Sequence, residues 1–234
     1  LIIMMGGVTV NFFLAWLIYS SLSFFKGETF HDNAKFENGI AVSDAGKKMG
    51  LQTGDKILKI DGKPAERMET STINMLFADN ATVLRNGKEV TFPIDENGVA
   101  AVLSENEAKA YFSPRYPVVI DSLFPNGAAK MAGLIKGDKI IGINGKPVGF
   151  FDEFGGELSK YKNQNVNLTV ERNNTQQEIK AKVDAKGKLG FSQDLNVAQA
   201  EFDKSKITKE YSFFAAIPRG LVRTIDVLTM QIKQ

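Results

Sequence analysis

A fifteen-residue stretch occurs twice in this chain. Gly50 to Pro64 reads GLQTGDKILKIDGKP and Gly133 to Pro147 reads GLIKGDKIIGINGKP, identical at ten of fifteen positions and offset by 83 residues. Solenoid repeats recur every ~20 to 50 residues, so copies this far apart mark two separate small domains of one kind. The 234 residues hold two domains of roughly 80 to 100 residues with a segment to spare at each end.

Each copy is embedded in the same order of elements. In the first, Gly39 to Val42 reads as a short strand, Ala45 to Met49 as a helical turn, and Lys56 to Ile60 as a strand whose Ile57, Leu58 and Ile60 call for burial. Asp61-Gly62-Lys63-Pro64 supplies turn chemistry. Glu66 to Ala78 has helical spacing, with Met68, Thr72, Met75 and Leu76 on one side, and Ala81 to Ile94 reads as a hairpin turning at Asn86-Gly87. In the second, the strand is Val118 to Ser122, the helical turn Ala128 to Ala132 and the buried strand Lys139 to Ile143. A turn at Asn144 to Pro147, a helix at Phe151 to Tyr161 and a hairpin from Val166 to Val183 through Asn173-Asn174 follow. The product is a mixed α+β unit, used twice.

Leu1 to Phe25 carries no charged residue, and Trp16, Tyr19, Phe24 and Phe25 gather toward Lys26 and Glu28. The run exceeds the ~20 residues a helix needs to cross a bilayer, and aromatics followed by charge suit a membrane interface, so residues 1–26 are read as a transmembrane helix. Its start lacks the basic segment of a signal peptide, and the abrupt apolar beginning suggests a piece of something longer. Gly6, Gly7 and Asn11 are its unusual residues, because small residues let helices approach and an amide in hydrocarbon needs a partner. At the other end, Phe214, Ile217, Leu221, Ile225, Leu228 and Ile232 recur at spacings of three and four, opposite Arg219, Arg223, Asp226 and Lys233. Residues 207–234 therefore read as an amphipathic helix along the membrane surface, with Pro218 tolerated near its first turn.

Composition narrows the chemistry. The net charge is +2 with both signs interspersed, which argues against a nucleic-acid groove. The chain has no cysteine and one histidine, so neither a disulfide framework nor a Cys- or His-pair metal site can be built. His31 lies in the polar run GETFHDNAKF and is read as a surface residue, which leaves a Ser-His-Asp triad without support.

The second copy, an apolar strand followed by PNGAA, KMAGL and KGDKIIGINGKP, resembles the core of a PDZ domain, and the first matches its Gly-Asp part. Gly54 and Gly137 permit a tight turn, Asp55 and Asp138 can accept from nearby backbone, and Gly62 and Gly145 allow positive φ. The resemblance implies a peptide site that adds a strand to a sheet edge and captures a terminal carboxylate on backbone amides of a Gly-Leu-Gly-Phe-like loop. Lys188-Leu189-Gly190-Phe191-Ser192 has that form and follows the second hairpin, so the order is read as circularly permuted, the loop strand closing each module. Ala110-Tyr111-Phe112-Ser113-Pro114 is then the first module's equivalent, without glycine. The candidate peptide-binding residues are Leu189, Gly190, Phe191 and Ser192 in the second module and Tyr111, Phe112 and Ser113 in the first. The modules span residues 34–115 and 116–198.

A membrane helix opening with GGVTVNFFLAW, two permuted PDZ modules and a juxtamembrane YSFFAAIPRG together resemble the central part of bacterial site-2 proteases, the RIP zinc metalloproteases of the regulator of sigma-E protease type. In that family zinc is held by a helix bearing His-Glu-x-x-His and by an Asp of Leu-Asp-Gly. Neither motif is in this sequence, so no catalytic or metal residue carries over and these 234 residues alone are expected to be inactive. Gly7 and Asn11 match the family's Gly-x-x-x-Asn pattern near the active site. The resemblance implies zinc in the full-length protein, a pre-cut transmembrane substrate such as an anti-sigma factor, contact with membrane lipid, no nucleic acid, and a bacterial inner-membrane location with periplasmic PDZ domains. The competing expectation is a membrane-tethered tandem-PDZ adaptor without catalysis.

Overall fold

The computed structural model describes residues 2–104 and 111–233. In chain order the elements are α1 (Ile2–Lys26), β1 (Glu28–His31), a 3-10 turn (Asn33–Lys35), β2 (Ile40–Val42), α2 (Asp44–Lys48), β3 (Lys56–Ile60), β4 (Lys63–Pro64), α3 (Met68–Met75), β5 (Asn80–Arg85), β6 (Lys88–Pro93) and α4 (Glu96–Ser104). They continue as β7 (Phe112–Pro114), β8 (Val118–Leu123), α5 (Ala128–Met131), β9 (Lys139–Ile143), β10 (Lys146–Pro147), α6 (Phe151–Leu158) with a 3-10 turn (Ser159–Tyr161), β11 (Asn165–Arg172), β12 (Thr175–Lys182), β13 (Phe191–Gln193), α7 (Leu195–Asp203), β14 (Lys206–Lys209) and α8 (Phe213–Lys233). Two units result: Leu1–Phe30 with Lys206–Gln234, and His31–Ser205.

Within His31–Ser205 the repeated stretch builds the same substructure twice. β3 pairs with β5 and β5 with β6, while β9 pairs with β11 and β11 with β12. Asn86 and Gly87 both take positive φ, as do Asn173 and Asn174, the geometry that matches a two-residue turn to the twist of its flanking strands. The strand preceding each copy is joined on its other side by the strand that closes the module. β7 lies on β2, and β13 on β8. Ile40, Met49, Leu51 and Ile57 are fully buried in the first core, and Ile120, Leu134, Ile140 and Leu168 in the second.

The Gly-Asp signature is a fold device. Asp138 is fully buried and accepts from the Ile135 amide at 2.9 Å. Arg172 grips both of its oxygens at 2.7 Å and also donates to the Gly133 carbonyl at 3.0 Å. Asp55 repeats this with the Gln52 amide and with Arg85, which also reaches Gly50. The aspartate-to-amide bonds follow the sequence reading; the arginines, each just before its hairpin turn, escaped it because their partners lie 30 and 34 residues away.

Three local expectations shift. The first helix is shorter than Glu66 to Ala78, and its buried residues are Met68, Ser71 and Met75, with Thr72 half-buried. Ser71 is drawn in because it donates to the Arg67 carbonyl and accepts from the buried Asn33 amide. His31 is not a surface residue. Its side chain is 17% exposed, its Nδ1 lies 2.7 Å from Glu69, and its ring stacks at 3.7 Å on Phe202 of α7, which packs on the first core.

In the other unit, α1 and α8 pack along a face of small residues. Ala216, Gly220 and Thr224 are buried, and a Cβ at Gly220 would meet the Ser20 backbone nitrogen at 2.5 Å. Trp16 donates its indole N–H to the Ile217 carbonyl at 2.8 Å. Glu28, buried, accepts from Ser23 at 3.1 Å and from Arg219 at 2.8 to 2.9 Å. The apolar residues Phe214, Ile217, Ile225 and Leu228 are left exposed. Pro218 stands inside α8 rather than in its first turn, because the helix already begins at Phe213. Gly7–Lys26 is long and apolar enough to cross a membrane.

Candidate functional site

β13 is the last strand of its sheet, so one backbone edge is unpaired. The loop before it is pinned through its carbonyls: the Leu189 carbonyl accepts from the Ala129 amide at 2.7 Å and that of Gly190 from the Phe124 amide at 3.0 Å. The amides of Leu189 and Gly190 have no partner among the described residues. Behind them, the Asp184 carboxylate accepts from the amides of Lys186 and Lys188 at 2.9 and 2.7 Å, which fixes the approach to the loop. Gly190 has φ +78° and lies against Gly127, where a Cβ would fall 2.4 Å from the Gly190 carbonyl oxygen. Both residues must be glycine for the loop to sit this close.

The sequence-predicted residues come together here. Leu189 is buried in the second core, and Phe191 is half-buried 5.8 Å from Phe154 of α6. Ser192 shares a 2.6 Å hydrogen bond with Ser122. An unpaired edge, two unpartnered amides and an aromatic wall facing a helix can receive an extended chain and a carboxylate. Sequence reasoning missed Gln193, whose amide bonds Pro117 and Val119 and holds the strand end. It also missed Gly155 and Gly156 in α6. Glycine costs about 1 kcal/mol relative to alanine in a helix interior, yet a Cβ at either position would meet nothing within 4 Å. Alanine at Gly156 is therefore expected to raise the second module's stability by up to about 1 kcal/mol, read as a higher denaturation midpoint.

The first module's candidates occupy the corresponding strand, but Tyr111 replaces the open loop. Its carbonyl accepts from Ser43, as that of Gly190 does from Phe124. Its ring is buried and its hydroxyl donates to the Thr72 carbonyl of α3 at 2.6 Å; burial pushes the phenol upward. Phe112 is fully buried and Ser113 half-buried, while Ala110 lies outside the described residues. On α1, Asn11 is exposed and a Cβ at Gly7 would have no neighbour within 4 Å; Gly6 lies on the same helix.

α6 also carries Glu157, a buried carboxylate that accepts from Lys146 and Lys160 at 2.5 and 2.9 Å. Those two hydrogen bonds bring its carboxyl from 4.5 down to about 2. A depressed folded value means the contribution is complete above the unfolded value and disappears as pH falls through the folded one. Stability measured by denaturant titration should therefore fall between pH 4.5 and about 2, and Glu157→Gln should flatten part of that fall.

Among the described residues no group of three or more His, Cys, Asp or Glu could hold a metal ion such as zinc. His31 has only Glu69 and, at 3.8 Å, Asp203 beside it.

A family model described as PDZ domain matches residues 98–183, and among the described residues one helix is long and apolar enough to cross a membrane. The zinc metalloprotease RasP of Geobacillus kaustophilus is 31% identical over 112 residues, 47% of this chain and 25% of that protein. A Neisseria meningitidis protein named as a zinc metalloprotease is 26% identical over 179 residues, 73% of this chain and 40% of that protein. The PDZ domain of an SdrC-like protein from Listeria innocua aligns at 24% identity and a TM-score of 0.30, covering 33% of this chain and 93% of that one. Both of these relatives are named as zinc metalloproteases, and the matched family model adds a PDZ domain. The matches span a quarter to two fifths of the length of these curated relatives.

Proposed function

We propose that this chain is the central region of an intramembrane zinc metalloprotease that cuts transmembrane substrates already trimmed by another protease. In this reading residues 34–115 and 116–198 are circularly permuted PDZ modules, α1 is a membrane span and α8 lies along the membrane surface. The modules sit on the periplasmic side of a bacterial inner membrane. Zinc and its ligands belong to parts of the protein outside this sequence. The second module captures the newly made C-terminus of the substrate, a transmembrane protein such as an anti-sigma factor, and the first acts as a steric gate.

The observation that supports peptide capture is the carbonyl-pinned loop at Leu189 and Gly190, with free amides beside the open edge of β13. Hydrogen bonds to a charged group are worth about 1.5–3 kcal/mol each. A short apolar peptide should therefore bind the whole chain in detergent micelles at least about tenfold more tightly as the free acid than as the amide. Equal affinities would remove carboxylate capture. For the protease itself, reading the open frame to either side decides: absence of His-Glu-x-x-His upstream and Leu-Asp-Gly downstream would leave the tandem-PDZ adaptor.

A further inference from the structure

The second repeat carries a face of lysines whose charges the fold leaves unused. Lys162, Lys182, Lys186 and Lys188 are exposed and make no ion pair among the described residues. Backbone bonds stitch their segments together: Asn163 donates to the Asp184 carbonyl at 3.3 Å, Val183 to that of Gln164 at 2.8 Å and Asp184 to that of Lys188 at 2.9 Å. Gly187, flanked by Lys186 and Lys188, is buried, and a Cβ there would fall 3.6 Å from the Lys162 Cε.

Nearby carboxylates do not balance this face. Asp184 accepts from the Lys186 and Lys188 amides, and Glu157 already serves two cations, Lys146 and Lys160. Across the ladder Lys182 faces Asn165 rather than an acid. A lysine on β12, an edge strand, guards against unwanted strand pairing. Lys162, Lys186 and Lys188 lie off that strand, so the same reason does not reach them. Nor does the fold require them, since the first repeat leaves its equivalent hairpin through Ile94-Asp95-Glu96, with acids in the place of lysines.

We infer that this face of the second module rests on an anionic lipid surface, with Lys162, Lys182, Lys186 and Lys188 at the headgroups. No arginine belongs to the cluster: Arg172, on the same hairpin, is bound to Asp138. Lysine is a mobile point charge, whereas recognition of one carboxylate or phosphate favours the bidentate arginine fork. A diffuse sheet of negative charge therefore fits this face better than a single bound group. The same chain supplies a helix, Gly7–Lys26, long and apolar enough to cross a membrane, which brings lipid headgroups into the chain's own surroundings. Each lysine at such a surface is worth about fivefold in partitioning. The inference goes beyond peptide capture and does not depend on it.

The chain has no cysteine, so Ala185→Cys, at an exposed position inside the cluster, gives a single site for a fluorophore. The labelled whole chain is reconstituted into phosphatidylcholine vesicles carrying a headgroup-linked acceptor, with or without phosphatidylglycerol. Energy transfer should rise at least about twofold when phosphatidylglycerol is present and fall back at raised salt. Combining Lys162→Glu, Lys182→Glu and Lys186→Glu should abolish the rise with an unchanged melting temperature, whereas Lys48→Glu, exposed on α2, should leave it intact. Equal transfer from the two vesicles would overturn the inference. A rise that survives the triple substitution would overturn its assignment to this face. Poly-glutamate that binds in detergent micelles through these lysines, with no response to phosphatidylglycerol, would replace the lipid by an acidic polypeptide.

Discussion

Arg172→Ala is expected to destabilise the second module by about 3–5 kcal/mol at neutral pH, because it strands a carboxylate that is fully buried. Asp138 keeps only the Ile135 amide once the guanidinium is gone. In the intact chain burial pushes the Asp138 carboxyl upward, but the hydrogen bonds from Arg172 and Ile135 outweigh it and hold the group below its ordinary value. Its contribution is thus present above the unfolded value and lost as pH falls through the folded one. In the variant burial is opposed only by the Ile135 amide, so the carboxyl shifts toward its neutral form and the deficit should shrink on acidification toward pH 5. Denaturant titrations at pH 7.5 and pH 5, with hydrogen exchange over residues 118–193, would check both size and sign. A loss under about 1 kcal/mol would mean that water replaces the guanidinium. Arg85→Ala should likewise destabilise the first repeat, because Asp55 is buried against Arg85.

Gly127→Ala should have the next largest effect, with a functional readout. Gly127 has φ −75°, which alanine accepts, so the backbone conformation is not the obstacle. The added methyl would lie 2.4 Å from the Gly190 carbonyl oxygen, and a backbone atom cannot swing aside as a side chain can. The loop must retreat, stretching the bond from the Phe124 amide that pins it. Overpacking of this kind costs about 1–3 kcal/mol, and the displaced amides should lose about tenfold in affinity for a free-acid peptide. Gly156→Ala, on the open face of α6, serves as the control that keeps both. Unchanged acid-over-amide preference in Gly127→Ala would mean that the loop position does not set carboxylate binding.

Several elements were legible because their causes are local. Asn86-Gly87 and Asn173-Asn174 tolerate positive φ and so fix both hairpins, and the apolar spacing of Lys56–Ile60 and Lys139–Ile143 fixes the buried strands. Leu189-Gly190-Phe191 was legible as a loop because its glycine stands out. The ion pairs were not, since nothing near Asp138 signals an arginine 34 residues on. The amphipathic pattern of α8 was visible, but the face that packs on α1 was not. A close helix pair selects small residues such as Gly220 over large apolar ones, so the apolar stripe was left outside.

The sequence by itself determined the repeated α+β order, the long apolar helix and the loop ahead of β13, because turns, periodicity and glycine act over a few residues. Only the tertiary structure decided that β7 and β13 differ in what lies beside them. The hydroxyl of Tyr111 meets the Thr72 carbonyl from 39 residues away, whereas Gly190 has no side chain to make such a bond. Whether a groove is filled depends on which side chains the folded backbone brings face to face, and no spacing along the chain records that.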